Sequence, residues 1–95
     1  MKRFILSPEA AQDIREIWAY IAVDSMNAAR RFRLQILDAC QGIADNPHIG
    51  HSRGDLTDKP VLFWPAGSCL IVYAARKPVE IVRVLHGARD IPSLL

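Results

Sequence analysis

The sequence lacks any hydrophobic run of the ~18–20 residues that a membrane helix requires, because Arg, Asp, Glu or Lys interrupts every apolar stretch. The opening, Met1-Lys2-Arg3-Phe4-Ile5-Leu6-Ser7-Pro8-Glu9, is basic and then breaks at Ser7-Pro8. A secretory leader needs an apolar core of ~7–15 residues there, so a cytoplasmic protein is expected. Cysteine is scarce: Cys40 and Cys69 are far apart, without metal-ligand spacing, and each reads as a small buried hydrophobe. No G-x-x-x-x-G-K-[ST], G-x-G-x-x-G, C-x-x-C or G-x-S-x-G motif occurs, so nothing points to a nucleotide, redox or serine-hydrolase site. His48 and His51 are spaced H-x-x-H but have no cysteine or carboxylate in register, and a metal site wants three or four convergent ligands. No metal and no cofactor is expected.

A large charge of one sign is also missing. The net charge of +2 is too small to imply nucleic-acid binding by itself. Residues 1–47 hold six basic and six acidic side chains, while 48–95 hold six and four, so the excess is in the second half. Hydrophobic residues are 51% and charged residues 23%, ordinary for a globular chain. With 95 residues, one domain spanning 1–95 and one modest core are expected.

Periodicity divides the chain into elements. Phe4 and Leu6 share a face at strand spacing in the run 3–7. Ser7-Pro8-Glu9 then opens a helix, with Ser7 as cap, Pro8 at the first turn and Glu9 at the positive end of the dipole. Ile14, Ile17, Trp18 and Ile21 form its apolar stripe over 8–23, with Asp13, Arg15 and Glu16 turned outward. Asp24-Ser25-Met26-Asn27 interrupts the pattern. A second stripe follows through Ala29, Phe32, Ile36, Cys40 and Ile43, and Asp45-Asn46-Pro47 ends it. So short a break makes the helices an antiparallel hairpin. Residues 47–60 read as a long connection, and Val61–Trp64, Leu70–Ala74 and Val79–Leu85 as an antiparallel meander around two short turns. The expectation is an α+β domain ordered β-α-α-β-β-β, its antiparallel sheet packed on the helical hairpin. The first strand joins as an edge or beside the last.

Few side chains stand out as chemical. Arg83 is a cation among Ile, Val and Leu, and alternation puts it with Ile81 and Leu85, opposite Glu80, Val82 and Val84. An unpaired buried guanidinium is costly. Arg83 therefore either meets an anion on the open sheet face or pairs with an acid such as Asp90 or Asp55. His86 is the one candidate proton donor on a structured element, or else its ring bonds a loop carbonyl and fixes the chain's exit. Lys59 and Arg53 are candidate additions to a phosphate-binding patch with Arg83. Trp18 and Trp64 read as core or edge cover.

The ordered set Leu6-Ser7-Pro8-Glu9-Ala10, Asp13-Ile14-Arg15-Glu16-Ile17-Trp18-Ala19-Tyr20-Ile21, Ile43-Ala44-Asp45-Asn46-Pro47-His48-Ile49-Gly50, Arg53-Gly54-Asp55-Leu56, Leu70-Ile71-Val72-Tyr73 and Ile81-Val82-Arg83-Val84-Leu85-His86-Gly87-Ala88-Arg89-Asp90 resembles the ParE-type toxins of bacterial type II toxin–antitoxin modules, within the wider RelE/ParE superfamily. The resemblance implies the same β-α-α-β-β-β order, a co-expressed ParD-like antitoxin as partner, and DNA gyrase as target. It implies no direct sequence-specific nucleic-acid binding by the toxin alone. Arg83, His86 and Arg89 are the target-binding candidates, and Arg30, Arg31, Arg33 and Trp64 the antitoxin-binding candidates. The RelE branch instead cleaves messenger RNA on the ribosome. Arg53, Tyr73, Arg83 and His86 are the residues that would supply such a set, although the ending Ile91-Pro92-Ser93-Leu94-Leu95 lacks the terminal Tyr, Phe or His of those nucleases. Where many ParE relatives carry an Arg before the strand leading to the Gly turn, this chain has Pro60-Val61-Leu62-Phe63-Trp64. The expectation is thus a non-enzymatic toxin, with RNase activity or an inactivated toxin that only binds antitoxin as the alternatives.

Overall fold

Ser7 makes the first corner of the molecule. In the computed structural model, which describes residues 2–87 and 94–95, its hydroxyl accepts the Ala10 N–H at 3.0 Å and also donates to the Val82 carbonyl at 2.7 Å. One side chain thereby caps a helix and ties it to the sheet. Strand β1 (Phe4–Leu6) precedes it and helix α1 (Pro8–Asp24) follows. Ser25 separates α1 from α2 (Met26–Asp45), its N–H bonding the Ile21 carbonyl and its hydroxyl accepting the Ala28 N–H at 3.1 Å. The expected break of several residues is thus a single residue serving both helix ends.

Strands β2 (Leu62–Ala66), β3 (Cys69–Ala74) and β4 (Val79–His86) form the antiparallel meander. Gly67-Ser68 closes the first hairpin. Gly67 has φ +60° and Ser68 is not positive, the pattern of a turn with glycine at its first central position. The sheet order is β1-β4-β3-β2, so the most apolar strands are central, as expected. β1 runs parallel to β4, which makes the sheet mixed rather than wholly antiparallel. β2 runs on through Pro65 and Ala66, which the sequence assigns to the turn; Pro65 is tolerated because β2 is an edge strand.

One face of the sheet carries the main core. Ile14, Ile17, Phe32, Ile36, Cys40 and Ile43 from the helices meet Ile71, Tyr73, Val79, Ile81 and Val84. Burying each large aliphatic contributes roughly 1.5–3 kcal/mol. On the other face Phe63, Val72 and Leu85 lie under Leu56, Val61, Leu70, Leu94 and Leu95.

Strict alternation fails in β4. Tyr73 pairs with Ile81 and Val72 with Arg83, so Val82 is an extra residue in the ladder. This bulge shifts the phase by one, and Ile81 and Val84, predicted to face opposite ways, both enter the helix-side core.

Candidate functional site

The departure of β1 shapes the β4 site. Its ladder with β4 ends at Leu6–Ile81. Among the described residues no strand pairs with β4 on this side beyond that point, and Ser7 and α1 supply partners instead. The Ser7 N–H donates to the Ile81 carbonyl at 2.9 Å, the Ser7 hydroxyl donates to the Val82 carbonyl, and the Asp13 carboxylate accepts the Val84 N–H at 3.0 Å. Asp13 also accepts two guanidinium bonds from Arg83: Nε to Oδ2 at 2.7 Å and Nη2 to Oδ1 at 2.8 Å. The side chains are 10% and 19% exposed, so the bidentate pair is largely shielded from solvent. A third bond runs from Arg83 Nη1 to the Leu94 carbonyl at 2.8 Å. The hydrogen bonds to Asp13 raise the Arg83 pKa above its ordinary value, against the opposing effect of burial, so the cation persists across the accessible pH range.

Two expectations are corrected here. Asp13 is not turned outward: Ala10, Asp13, Ile14 and Ile17 are the buried residues of α1. Arg83 has an acidic partner among the described residues, and it is Asp13 rather than Asp55. Asp55 pairs with Arg53 in the 47–60 connection, and Asp90, like the target-binding candidate Arg89, lies outside the described residues.

His86 lines a cleft of about 350 Å³ beside this pair, together with Glu16 and Tyr20 of α1. Tyr20 is 73% exposed. Sequence reading picks out His86 but not Glu16 or Tyr20, although helical spacing puts them one turn from Asp13 and Ile17 respectively.

The four residues of the nuclease alternative are not brought together. Tyr73 is fully buried, and its hydroxyl donates to the Pro47 carbonyl at 2.8 Å and accepts the Gly50 N–H at 2.9 Å. Burial raises its pKa, with the Gly50 bond opposing. A Cβ on Gly50 would lie 2.6 Å from that hydroxyl, so the close approach requires glycine. His86 pairs with Cys69, four positions along β3 from Tyr73 and therefore roughly 13 Å away. Arg53 is half-exposed and holds Asp55 through two bonds, at 2.9 and 2.8 Å. Lys59 reaches the Leu95 carbonyl, so Lys59 and Arg83 meet consecutive residues of one segment.

A second hollow, of about 780 Å³, runs along the helical hairpin. Ile14, Trp18, Ala19 and Leu34 make it apolar, and Arg15, Arg30 and Arg33 stand around it. Leu34, 65% exposed, extends the apolar patch formed with Ile14, Trp18 and Ala19. Of the antitoxin-binding candidates, Arg30 and Arg33 line this groove. Arg31 is exposed elsewhere on α2. Trp64 is half-buried on β2, packed on the main core and stacked on His51 with ring centroids 6.4 Å apart. His51 also pairs its backbone with Phe63, covering part of the β2 edge.

The model of the ParE toxin of the type II toxin–antitoxin system parDE matches residues 4–91. Among solved structures, a chain of a chromosomal ParDE toxin–antitoxin system from P. aeruginosa is similar, with TM-score 0.73 and 16% identity. The match covers 93% of this chain and 98% of that one. No curated protein sequence matches. At that identity the solved structure attests the fold.

Proposed function

The chain belongs to the ParE toxin family of type II toxin–antitoxin systems, and we propose that it is a cytoplasmic toxin, neutralised by a ParD-like antitoxin, that inhibits DNA gyrase by binding it. The observation that carries the antitoxin half is the hairpin groove. An apolar floor ringed by Arg15, Arg30 and Arg33 suits an amphipathic segment whose apolar side chains enter the hollow and whose acids meet the rim. Gyrase as target comes from the resemblance to the ParE branch. Action by binding rather than catalysis is supported by the dispersal of Arg53, Tyr73, Arg83 and His86: Tyr73 is buried with its hydroxyl engaged, and Arg53 and Arg83 are each paired with a carboxylate. The proposal puts the target surface at the His86 cleft, with Arg83 as the residue that positions β4 behind it.

Expression without the antitoxin should arrest division and induce the DNA-damage response, and co-expression of the neighbouring reading frame should relieve both. Leu34→Asp puts a charge into the groove at an exposed position, so it should leave the fold intact and abolish relief. Arrest accompanied by ribosome-dependent messenger cleavage would overturn the proposal, as would normal growth at high levels of folded protein.

A further inference from the structure

All three lysines of the chain, Lys2, Lys59 and Lys77, lie around two neighbouring hollows at the end of the sheet where β1 begins and β3 turns into β4. The first, about 520 Å³, has Lys2, Arg3, Arg76 and Lys77 on its walls and Pro78 and Val79 among its apolar lining. The second, about 490 Å³, shares Arg76 and adds Lys59 and His48, with Val61 and Leu62 among the apolar residues. The shared arginine makes the two a continuous band. Neither shares a lining residue with the hairpin groove.

The band is held in place. The Lys2 N–H donates to Asp45 Oδ1 at 3.0 Å and its carbonyl accepts Gln41 Nε2 at 2.7 Å, which pins this segment to α2 while leaving the ammonium outside those bonds. Two carboxylates stand nearby, and both are engaged. Asp45 holds Lys2 N–H and Gln41, and Glu80 holds Arg76 at 3.3 Å. Lys2, Arg3 and Lys77 form no ion pair among the described residues. Asp45 keeps its charge and Glu80 offsets Arg76, so five cations against two carboxylates leave three positive charges in excess, more than the +2 of the whole chain, concentrated at one end of the sheet.

We infer that this band is a second docking surface, which takes an extended acidic segment of a protein partner whose apolar side chains enter the two hollows. Phosphate backbones need cations but not apolar hollows, and single strands are held by aromatic platforms. The linings of these hollows contain no Phe, Tyr or Trp and a single imidazole, His48, whereas Pro, Val, Ala and Leu suit aliphatic side chains. The chemistry fits a peptide that alternates acids with aliphatic residues.

The test titrates the purified full chain, labelled with ¹⁵N, with a peptide alternating glutamate and valine, and follows backbone amides. Shifts are expected at residues 2–3, 44–47, 59–62 and 74–79, and they should survive Arg30→Gln/Arg33→Gln. The triple variant Lys2→Gln/Arg3→Gln/Lys77→Gln alters exposed side chains only and should weaken this binding at least about tenfold. A peptide alternating glutamate and glycine should bind less tightly, because it leaves the hollows unfilled. Shifts confined to residues 14–34, equal binding of the two peptides, or preference for an oligothymidylate over both would each overturn the inference. Because the hairpin groove is scored by separate amides and separate variants, failure here is distinguishable from failure of the antitoxin proposal.

Discussion

Two arginines in this molecule grip a carboxylate in nearly the same way. Arg53 and Asp55 are joined through Nε and Nη2 at 2.9 and 2.8 Å, and Arg83 and Asp13 through the same nitrogens at 2.7 and 2.8 Å. The first pair is two residues apart in sequence and 47% and 64% exposed. The second is 70 residues apart and 19% and 10% exposed. Equal geometry therefore does not mean equal consequence. Water and salt screen the first pair, and it closes only a local turn. The second joins α1 to β4, and Asp13 additionally accepts the Val84 N–H of the strand. A buried pair is not by itself worth much relative to apolar replacements, but breaking one half leaves the other charge stranded.

Breaking the buried pair should give the largest effect. Asp13→Ala leaves the Arg83 guanidinium and the Val84 N–H unpaired and should cost about 3 kcal/mol in a urea titration. Arg83→Ala should also destabilise, and in the double variant the second change should cost much less than it does alone. If toxicity is lost on Arg83→Ala while stability is unchanged, Arg83 contacts the target directly and its assignment as a positioning residue is wrong. Next comes Tyr73→Phe, which removes the link between Pro47 and Gly50 and should cost about 1–2 kcal/mol, with faster proteolysis of the 47–60 connection. Arg53→Ala should leave the melting temperature unchanged. A drop as large as that of Arg83→Ala would erase the contrast between the two pairs.

The smallest effect is alkaline. Burial pushes the Cys40 thiol up to about 12 and raises the Tyr73 phenol, while unfolded thiols and phenols titrate near ~8.5 and ~10. The folded state therefore holds these protons more tightly than the unfolded one. Stability should be at its full value below ~8.5 and decline as pH rises toward the folded values. Cys40→Ala should flatten that decline, measured relative to its own stability at neutral pH.

How far the sequence reveals these features follows from the same contrast. Local chemistry reads well. Ser7-Pro8 announces α1, the stripe from Ala29 to Ile43 announces the buried face of α2, and β-rich runs separated by short turns announce the meander. Contacts between distant segments do not read from local pattern. Asp13 is grouped with Arg15 and Glu16 as solvent-facing because it is charged, yet Ala10, Asp13, Ile14 and Ile17 themselves follow the i, i+3, i+4, i+7 spacing of a buried stripe. Charge outweighed position, and a buried acid on that stripe was the signal that Arg83 needed. The β4 bulge is hidden for another reason: an extra residue leaves no mark in an apolar run, since Val82 and Val84 are alike in kind. The cationic band draws on residues 2–3, 59 and 76–77, which only the folded chain brings together.

The central claim is that this fold acts by binding, with Arg83 occupied in holding it together. The most direct measurement adds the purified full chain, in parallel, to a gyrase supercoiling reaction and to ribosomes programmed with messenger RNA. The account expects supercoiling to fail and the messenger to stay intact, with His86→Ala leaving the messenger result unchanged. Messenger cleaved on the ribosome while supercoiling proceeds normally would contradict it.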